Sequence, residues 1–283
     1  MSTVVDTGRR APWTVASRRV LSGAPVSVLI SFVVVLVLVV WVLVPSLITS
    51  SNPVDAVPLD KLRSPSPAHW FGTDYLGRDV LTRVIYGARS SVLTAGVAVG
   101  IGLVVGGGLG MLGGFFGGVV DAVIGRVVDT MLAIPGLLLA VAIVVTLGFH
   151  DINAAVATGI TSIAIFARIM RAEVLKVRQS VFIESAYLQG GSRTFVLFAH
   201  VLPNAYRSVL ALAVLQFGSA ILVIAALAFL GYGSPPPASS WGLLIADGSK
   251  YQVAPWLIYC PAAVVVVTVL SINRISRWLR TPR

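Results

Sequence analysis

Charge is scarce in this chain. Only 11% of its 283 residues are Asp, Glu, Lys or Arg, while 57% are hydrophobic. A soluble globular domain carries about 25% charged residues, so an ordinary water-facing surface is excluded and lipid is the main solvent. Cysteine is nearly missing as well. Cys260 stands alone in an apolar run, which excludes a disulfide framework and a thiolate metal cluster. The three histidines, His69, His150 and His200, fall on separate loops without metal-ligand spacing. The only lysines are Lys61, Lys176 and Lys250, and none follows Gly or precedes Ser or Thr. The chain therefore lacks the usual phosphate loop. A G-x-S-x-G nucleophile elbow is also missing. The net charge of +10 does not point to nucleic acid, because the basic residues are scattered between apolar runs and form no patch.

What is present is a series of apolar runs long enough to cross a bilayer, which takes about 20 residues as a helix. Six are expected, near residues 26–48, 90–113, 121–147, 152–174, 205–231 and 255–276. Arg9, Arg10, Arg18 and Arg19 precede the first, as in a cleavable leader. That run is longer than the about 7–15 residues of a leader and ends in Pro45-Ser46-Leu47 rather than a small-x-small site, so a retained span is expected. The expected organisation is a tail over 1–25, a first span over 26–48 and an external segment over 49–89. A helical core over 90–276 and a short tail over 277–283 complete it. Helical spacing at Val80, Leu81, Val84 and Ile85 predicts a short surface helix before the second span. With the N-terminus inside, fifteen Lys and Arg fall on inner segments and six on outer ones. The positive-inside rule then predicts both termini in the cytoplasm.

Two features inside the spans call for a physical reading. Gly108-Leu-Gly110-Met-Leu-Gly113 matches the dinucleotide pattern G-x-G-x-x-G, but it ends a span and follows no strand, so it is rejected as a site. Gly102, Gly106, Gly110, Gly114 and Gly118 recur every four residues and give one helical face with no side chain. Such a face lets a second helix approach closely, either as fixed packing or as a seam that slides. At the start of the third span, Arg126 and Asp129 are three residues apart on one face and are expected to form an interfacial ion pair, with Asp121 nearby.

One medium-length polar loop interrupts the greasy background: FIESAYLQGGSRTFVLFAHVLPN, from Phe182 to Asn204. Residues 181–189 have helical character and Gly190-Gly191 breaks it. Ser192 is a fitting N-cap for a second helical piece, and Pro203 is expected to restart the chain at the base of the fifth span. The result is a helix-turn-helix elbow projecting from the membrane with Phe182, Ile183, Phe195 and Phe198 exposed. Apolar side chains on such a projection call for a protein partner.

The spacing of the elbow carries a resemblance. Glu184-Ser185-Ala186, three residues, Gly190, nine residues, then His200-Val201-Leu202-Pro203 resembles the E-A-A-x3-G-x9-I-x-L-P signature of permease subunits of bacterial ABC importers. Ser185 replaces an alanine, and His200 stands where the general motif has Ile, as is common in the dipeptide, oligopeptide and nickel branch. FGTDYLGRDVLTRVIYGAR, GGFFGGVVDAVIGRVVDTMLAIPGLLLA, ARIMRAEVLKVRQSVFIESA and LAFLGYGSPPPASSWGLLIADG resemble the same branch, in the same order, over roughly residues 65–275. The resemblance implies an all-α membrane protein of six transmembrane helices with a cytoplasmic coupling loop at 178–204, the type I importer fold. It implies that Phe182, Glu184, Ser185, Ala186, Gly190, Gly191, Phe198, His200, Leu202 and Pro203 form the joint with an ATPase. Glu184 would make a polar contact there, Gly190 the chain reversal, and Phe182 and Phe198 the apolar anchors. It implies docking of an external solute-binding protein around Phe71, Gly72, Asp74, Gly77, Arg78, Asp79, Trp241 and Gly242. A second homologous permease and one or two ATPase subunits complete the expected assembly. ATP and magnesium would sit on the ATPases, with no cofactor or metal on this chain. The implied cargo is a dipeptide or oligopeptide, with nickel or another small solute as the alternative. A self-sufficient secondary transporter should instead show internal repeats and broken mid-membrane helices, and an intramembrane enzyme a nucleophile with its base; neither is evident in the sequence.

Overall fold

The computed structural model describes residues 25–235 and 237–280. Arg9, Arg10, Arg18, Arg19 and the last residues of the C-terminal tail lie outside them. The described chain is helical and irregular, with a lone antiparallel bridge between Thr73 and Asp79. Helix α1 (Val26–Leu43) has no charged residue and buries only Val28, Ser31 and Leu38. Its other sides are left for lipid. After an irregular outer segment, helix α2 runs over Val80–Phe116. At 1.5 Å per residue it is about 55 Å long, well beyond a hydrocarbon core of about 30 Å. The surface helix expected before this span is instead its first turns. Asp79 caps the helix by accepting from the Thr82 amide at 2.8 Å, and nothing between Val80 and Ile101 breaks it. Thr82, Arg83, Val84 and Ile85 are buried rather than lying on a membrane surface.

Helix α5 (Asp151–Arg178) packs along α2. Ser90 meets Asp151 at one end, Gly110 meets Ala167 farther along, and the Arg178 guanidinium donates to the Phe115 carbonyl at the other end. The two helices therefore run parallel. Four glycines of the ladder make the seam between them. A methyl group at Gly102 would stand 2.8 Å from Ser162 and from the Phe166 ring. One at Gly106 would overlap the Ile163 carbonyl, one at Gly110 the Ala167 carbonyl, and one at Gly114 would meet the Arg171 carbonyl at 2.9 Å. Gly118 is not part of this seam. It follows a break at Gly117 (φ 69°), has φ 55° itself, and faces open space.

Two parallel neighbours require a return crossing between them. Helices α3 (Gly118–Ala133) and α4 (Gly136–Leu147) supply it. The single helix expected over 121–147 is in fact bent by 92°. Pro135 is the reason: it has no amide hydrogen for the Met131 carbonyl and pushes the residue before it out of the helical region. Ile134 accordingly has φ −90° and ψ 129°. Among the described residues, five single helices are long and apolar enough to cross a membrane, and the bent pair makes six.

After α5 the chain forms a short helix α6 (Val181–Leu188), then α7 (Arg193–Tyr232), α8 (Trp241–Gly248) and α9 (Trp256–Arg280). Pro203 stands in the first turn of the regular α-helical stretch Leu202–Leu227, as expected, but the chain is already helical before it. Helix α7 runs through it, with a wide π-type turn over Leu197–Val201 just before it, where a missing amide is accommodated. A second wide turn at Ala228–Tyr232 ends α7 at Gly231, whose φ is 90°. The buried core joins Val84, Ala95 and Ala98 of α2, Phe166 and Val174 of α5, Ile221 of α7 and Trp241 of α8.

The seam gives a direct test. Gly110→Val should lower the thermal unfolding midpoint of the detergent-purified protein, since overpacking against backbone costs about 1–3 kcal/mol. Gly100→Ala, at a glycine facing open space, should leave the midpoint unchanged or raise it slightly through helix propensity. Equal effects of the two would remove the seam from the account.

Candidate functional site at the inner elbow

The elbow is built by local rules. Glu184 lies in the first turn of α6, where a negative side chain favours the helix dipole, and it is exposed. The helix ends by a Schellman arrangement: the Gly191 amide donates to the Ala186 carbonyl and the Gly190 amide to the Tyr187 carbonyl, both at 3.0 Å. Gly190 takes φ 84° at the reversal, a left-handed value that favours glycine. A methyl group at Gly191 would stand 2.7 Å from the Ala186 carbonyl, so the second glycine is required by the close return of the chain. Ser192 then caps α7, its hydroxyl accepting from the Phe195 amide at 3.3 Å. The Ser185 hydroxyl donates to the Val181 carbonyl, and His200 sits edge-on to the Phe195 ring at 5.5 Å. Leu202 is half-buried and Pro203 exposed on the first spanning turn.

Burial divides the apolar residues of the elbow into two sets. Ile183 is 1% exposed and joins Val174, Val196 and Val201 in the main core. Its expected exposure is thus corrected: in α6 it lies on the face turned toward the helix bundle. Phe182, Phe195 and Phe198 remain about half exposed, and Val181 and Leu188 more so, at 78% and 83%. Val181, Tyr187 and Leu188 belong to this outward set; for Val181 and Leu188, the position on the helix face opposite Ile183 was the available signal.

The base of the elbow is held by charge. Arg171 on α5 makes a two-pronged ion pair with Asp121 on α3 through Nε–Oδ1 and Nη2–Oδ2. Asp129 meets Arg168 of α5 at 3.6 Å, so the expected pairing with Arg126 gives way to a cross-helix partner. Helix α3 lies along α5 here, which brings a guanidinium nearer than the neighbour on its own helix.

At the opposite end, most of the residues expected to dock a binding protein are buried within the outer segment. Asp74 is 3% exposed and receives Arg78 Nε at 2.7 Å and Arg83 Nη1 at 2.9 Å; both arginines are also buried. The Asp74 carboxylate further accepts the Leu76 and Arg78 amides at 2.8 and 3.0 Å. Trp241 is fully buried, with Nε1 donating to the Val84 carbonyl at 3.0 Å. Gly242 packs on Ala225 of α7, Gly72 lies under Trp256, and Gly77 returns against Val57. These six residues hold the outer segment together from within and are covered from direct contact with a second protein. Phe71 and Asp79 are half-buried; Asp79 also pairs with His69 at 3.0 Å. Exposed apolar side chains of this end include Leu59, Trp70 and Val253.

The elbow's division into buried and outward faces is open to measurement. Ile183→Ala should destabilise the elbow by about 2–5 kcal/mol and speed limited proteolysis between 181 and 203. Phe182→Ala should leave cleavage at the wild-type rate. If both cleave alike, Ile183 is not the anchor.

Comparison with known proteins places this geometry. The family described as binding-protein-dependent transport system inner membrane component matches residues 102–281. The chain is 41% identical to the dipeptide transport system permease protein DppC of Alkalihalophilus pseudofirmus, over 83% of this chain and 77% of that one. It is 37% identical to the probable D,D-dipeptide transport system permease protein DdpC of Escherichia coli K12, over 92% and 87%. It is also 37% identical to the glutathione transport system permease protein GsiD of Pectobacterium atrosepticum, over 76% and 72%. Among solved structures, an amino acid ABC transporter superposes with a TM-score of 0.56 at 17% identity, over 70% of this chain and 92% of that one. The inward-facing MetNI methionine ABC transporter does so with 0.55 at 16%, over 70% and 97%. At these identities the structures establish the fold, that of ABC transporter permeases. The sequence match and this fold together decide the family: the chain belongs to the inner membrane components of binding-protein-dependent transport systems.

Proposed function

We propose that this chain is one of two different permease subunits of an ATP-driven importer of short peptides, and that its inner elbow is the joint with the ATPase subunits. The observation that carries the reading is the outward apolar set Val181, Phe182, Leu188, Phe195 and Phe198 on a projection beyond the spans. Helix α7 has 40 residues, about 60 Å, so roughly half of it lies outside the hydrocarbon. Water is a poor solvent for that face, and a groove on a second protein is a good one. Glu184 stands exposed beside it for a polar contact. The fifteen-to-six bias of basic residues supports a cytoplasmic elbow and cytoplasmic termini. Two of the six outer basic residues, Arg78 and Arg83, share a buried carboxylate, which leaves still fewer free charges outside.

The mechanism follows from continuity of the helices. The second arm of the elbow is the first stretch of α7, and α6 follows α5 after only Gln179 and Ser180. A pull on the elbow by ATPase closure therefore acts on two spanning helices at once, biasing two packings of the spans. ATP and magnesium belong to the ATPases, since this sequence has no phosphate loop. An external binding protein delivers the cargo, with Leu59, Trp70 and Val253 as its contact rim and Phe71 and Asp79 beside them. Relatives named for dipeptides, D,D-dipeptides and glutathione support a short peptide as cargo.

Co-purification tests the joint. Glu184→Lys and Phe182→Ala should each lower recovery of the ATPase with the permease pair, about tenfold for one lost contact worth about 1.4 kcal/mol. Permease yield should be unchanged, because neither side chain is buried. Full ATPase recovery with both variants would overturn the elbow as the joint.

A further inference from the structure

At the 92° bend between α3 and α4, the structure opens a groove of about 380 Å³ that no part of the elbow or the outer segment explains. It is lined by Pro135 at the bend, by Thr158, Thr161 and Ser162 of α5, and by Gln216 and Ser219 of α7. All lie well inside their helices: Thr158 is seven residues from the outer end of α5 at Asp151 and Gln216 sixteen from that of α7 at Tyr232. The groove is thus at membrane depth.

Its chemistry is unusual for that depth. About half of its surface is polar, yet no side chain lining it is charged. Thr161 and Ser162 both donate to the Thr158 carbonyl, at 2.8 and 2.9 Å. The Thr158 hydroxyl itself is 98% buried by its residue's exposure of 2% and has no hydrogen-bond partner. The bend adds the Met131 carbonyl, whose helical partner would be the amide that Pro135 lacks. An unpaired polar group in hydrocarbon costs several kcal/mol, and broken backbone at membrane depth persists only where it lines protein or a water-filled cavity. Lipid is therefore the wrong occupant.

We infer that this groove is the chain's half of the transmembrane path and that Thr161, Gln216 and Ser219 hydrogen-bond the main-chain amides of the passing peptide. The inference rests on the importer reading and assigns the side chains that read its cargo. Hydroxyl and carboxamide groups both donate and accept, which matches a peptide unit with its one N–H and one C=O. Without a fixed charge the groove favours neither sign of cargo side chain. It selects the backbone and leaves the choice of sequence to the protein that delivers it.

The test uses the assembled transporter in proteoliposomes, with Cys260 replaced by Ser. Thr161→Cys, Gln216→Cys and Ser219→Cys should react with a charged, water-borne thiol reagent at least about tenfold faster than Leu36→Cys, an exposed position of α1 outside the groove. Gln216→Leu should lower uptake of radiolabelled dialanine about tenfold while binding-protein-stimulated ATP hydrolysis persists. Labelling no faster than at Leu36→Cys, or unchanged uptake by Gln216→Leu, overturns the groove and leaves the importer reading standing. Wild-type vesicles that take up dialanine without ATP would instead overturn the importer reading, while the labelling rates still decide whether water fills the groove.

Discussion

The close parallel contact of α2 and α5 is the constraint on which the other parts depend. In hydrocarbon there is no water release to drive helices together, so contact must come from packing and from polar ties. Gly102, Gly106, Gly110 and Gly114 remove the side chains that would hold the axes apart. Polar contacts then fasten each end: Ser90 with Asp151 at one, Arg178 with the Phe115 carbonyl at the other. Because the pair is parallel, the chain must return between them, and the bent α3–α4 segment is that return. The elbow hangs from the C-terminal end of α5 and the segment before Val80 caps the start of α2. Both are thus positioned by the same seam.

Much of this was legible in the sequence because the signals are local. Apolar length gives the spans, the four-residue glycine period gives a bare helix face, and Gly190-Gly191-Ser192 gives a stop and a start. What was missed depends on contacts distant in sequence or on a single residue inside a strong pattern. Pro135 lies within an apolar run long enough for one span, and length alone hid the bend. The start of α2 was placed late because a charged, polar composition around Arg78 and Arg83 resembles an exposed segment. Asp74 turns both arginines inward, and no periodicity announces that. Asp129 chose Arg168 over Arg126 for the same reason.

The outer segment shows why motif residues and contact residues need not coincide. The Asp74 cluster, the glycines at 72 and 77 and the Trp241 indole are internal supports: each satisfies a backbone or charge that would otherwise be buried alone. A segment that stands outside the spans must keep its shape without a membrane around it, and buried charge-assisted bonds supply such stiffness. The side chains left on its surface, such as Leu59 and Trp70, are ordinary residues with no distinctive signature in sequence.

Helix α7 joins these two ends of the molecule. It begins at the elbow, passes beside the polar groove and ends where α8 packs beneath the outer segment. A rod of about 60 Å tilting by about 10° around one tip sweeps the other by about 10 Å. That displacement is comparable to the spacing of two packed helices. A modest tilt at one tip is thereby geared up into a stroke wide enough to part a helix from its neighbour at the other.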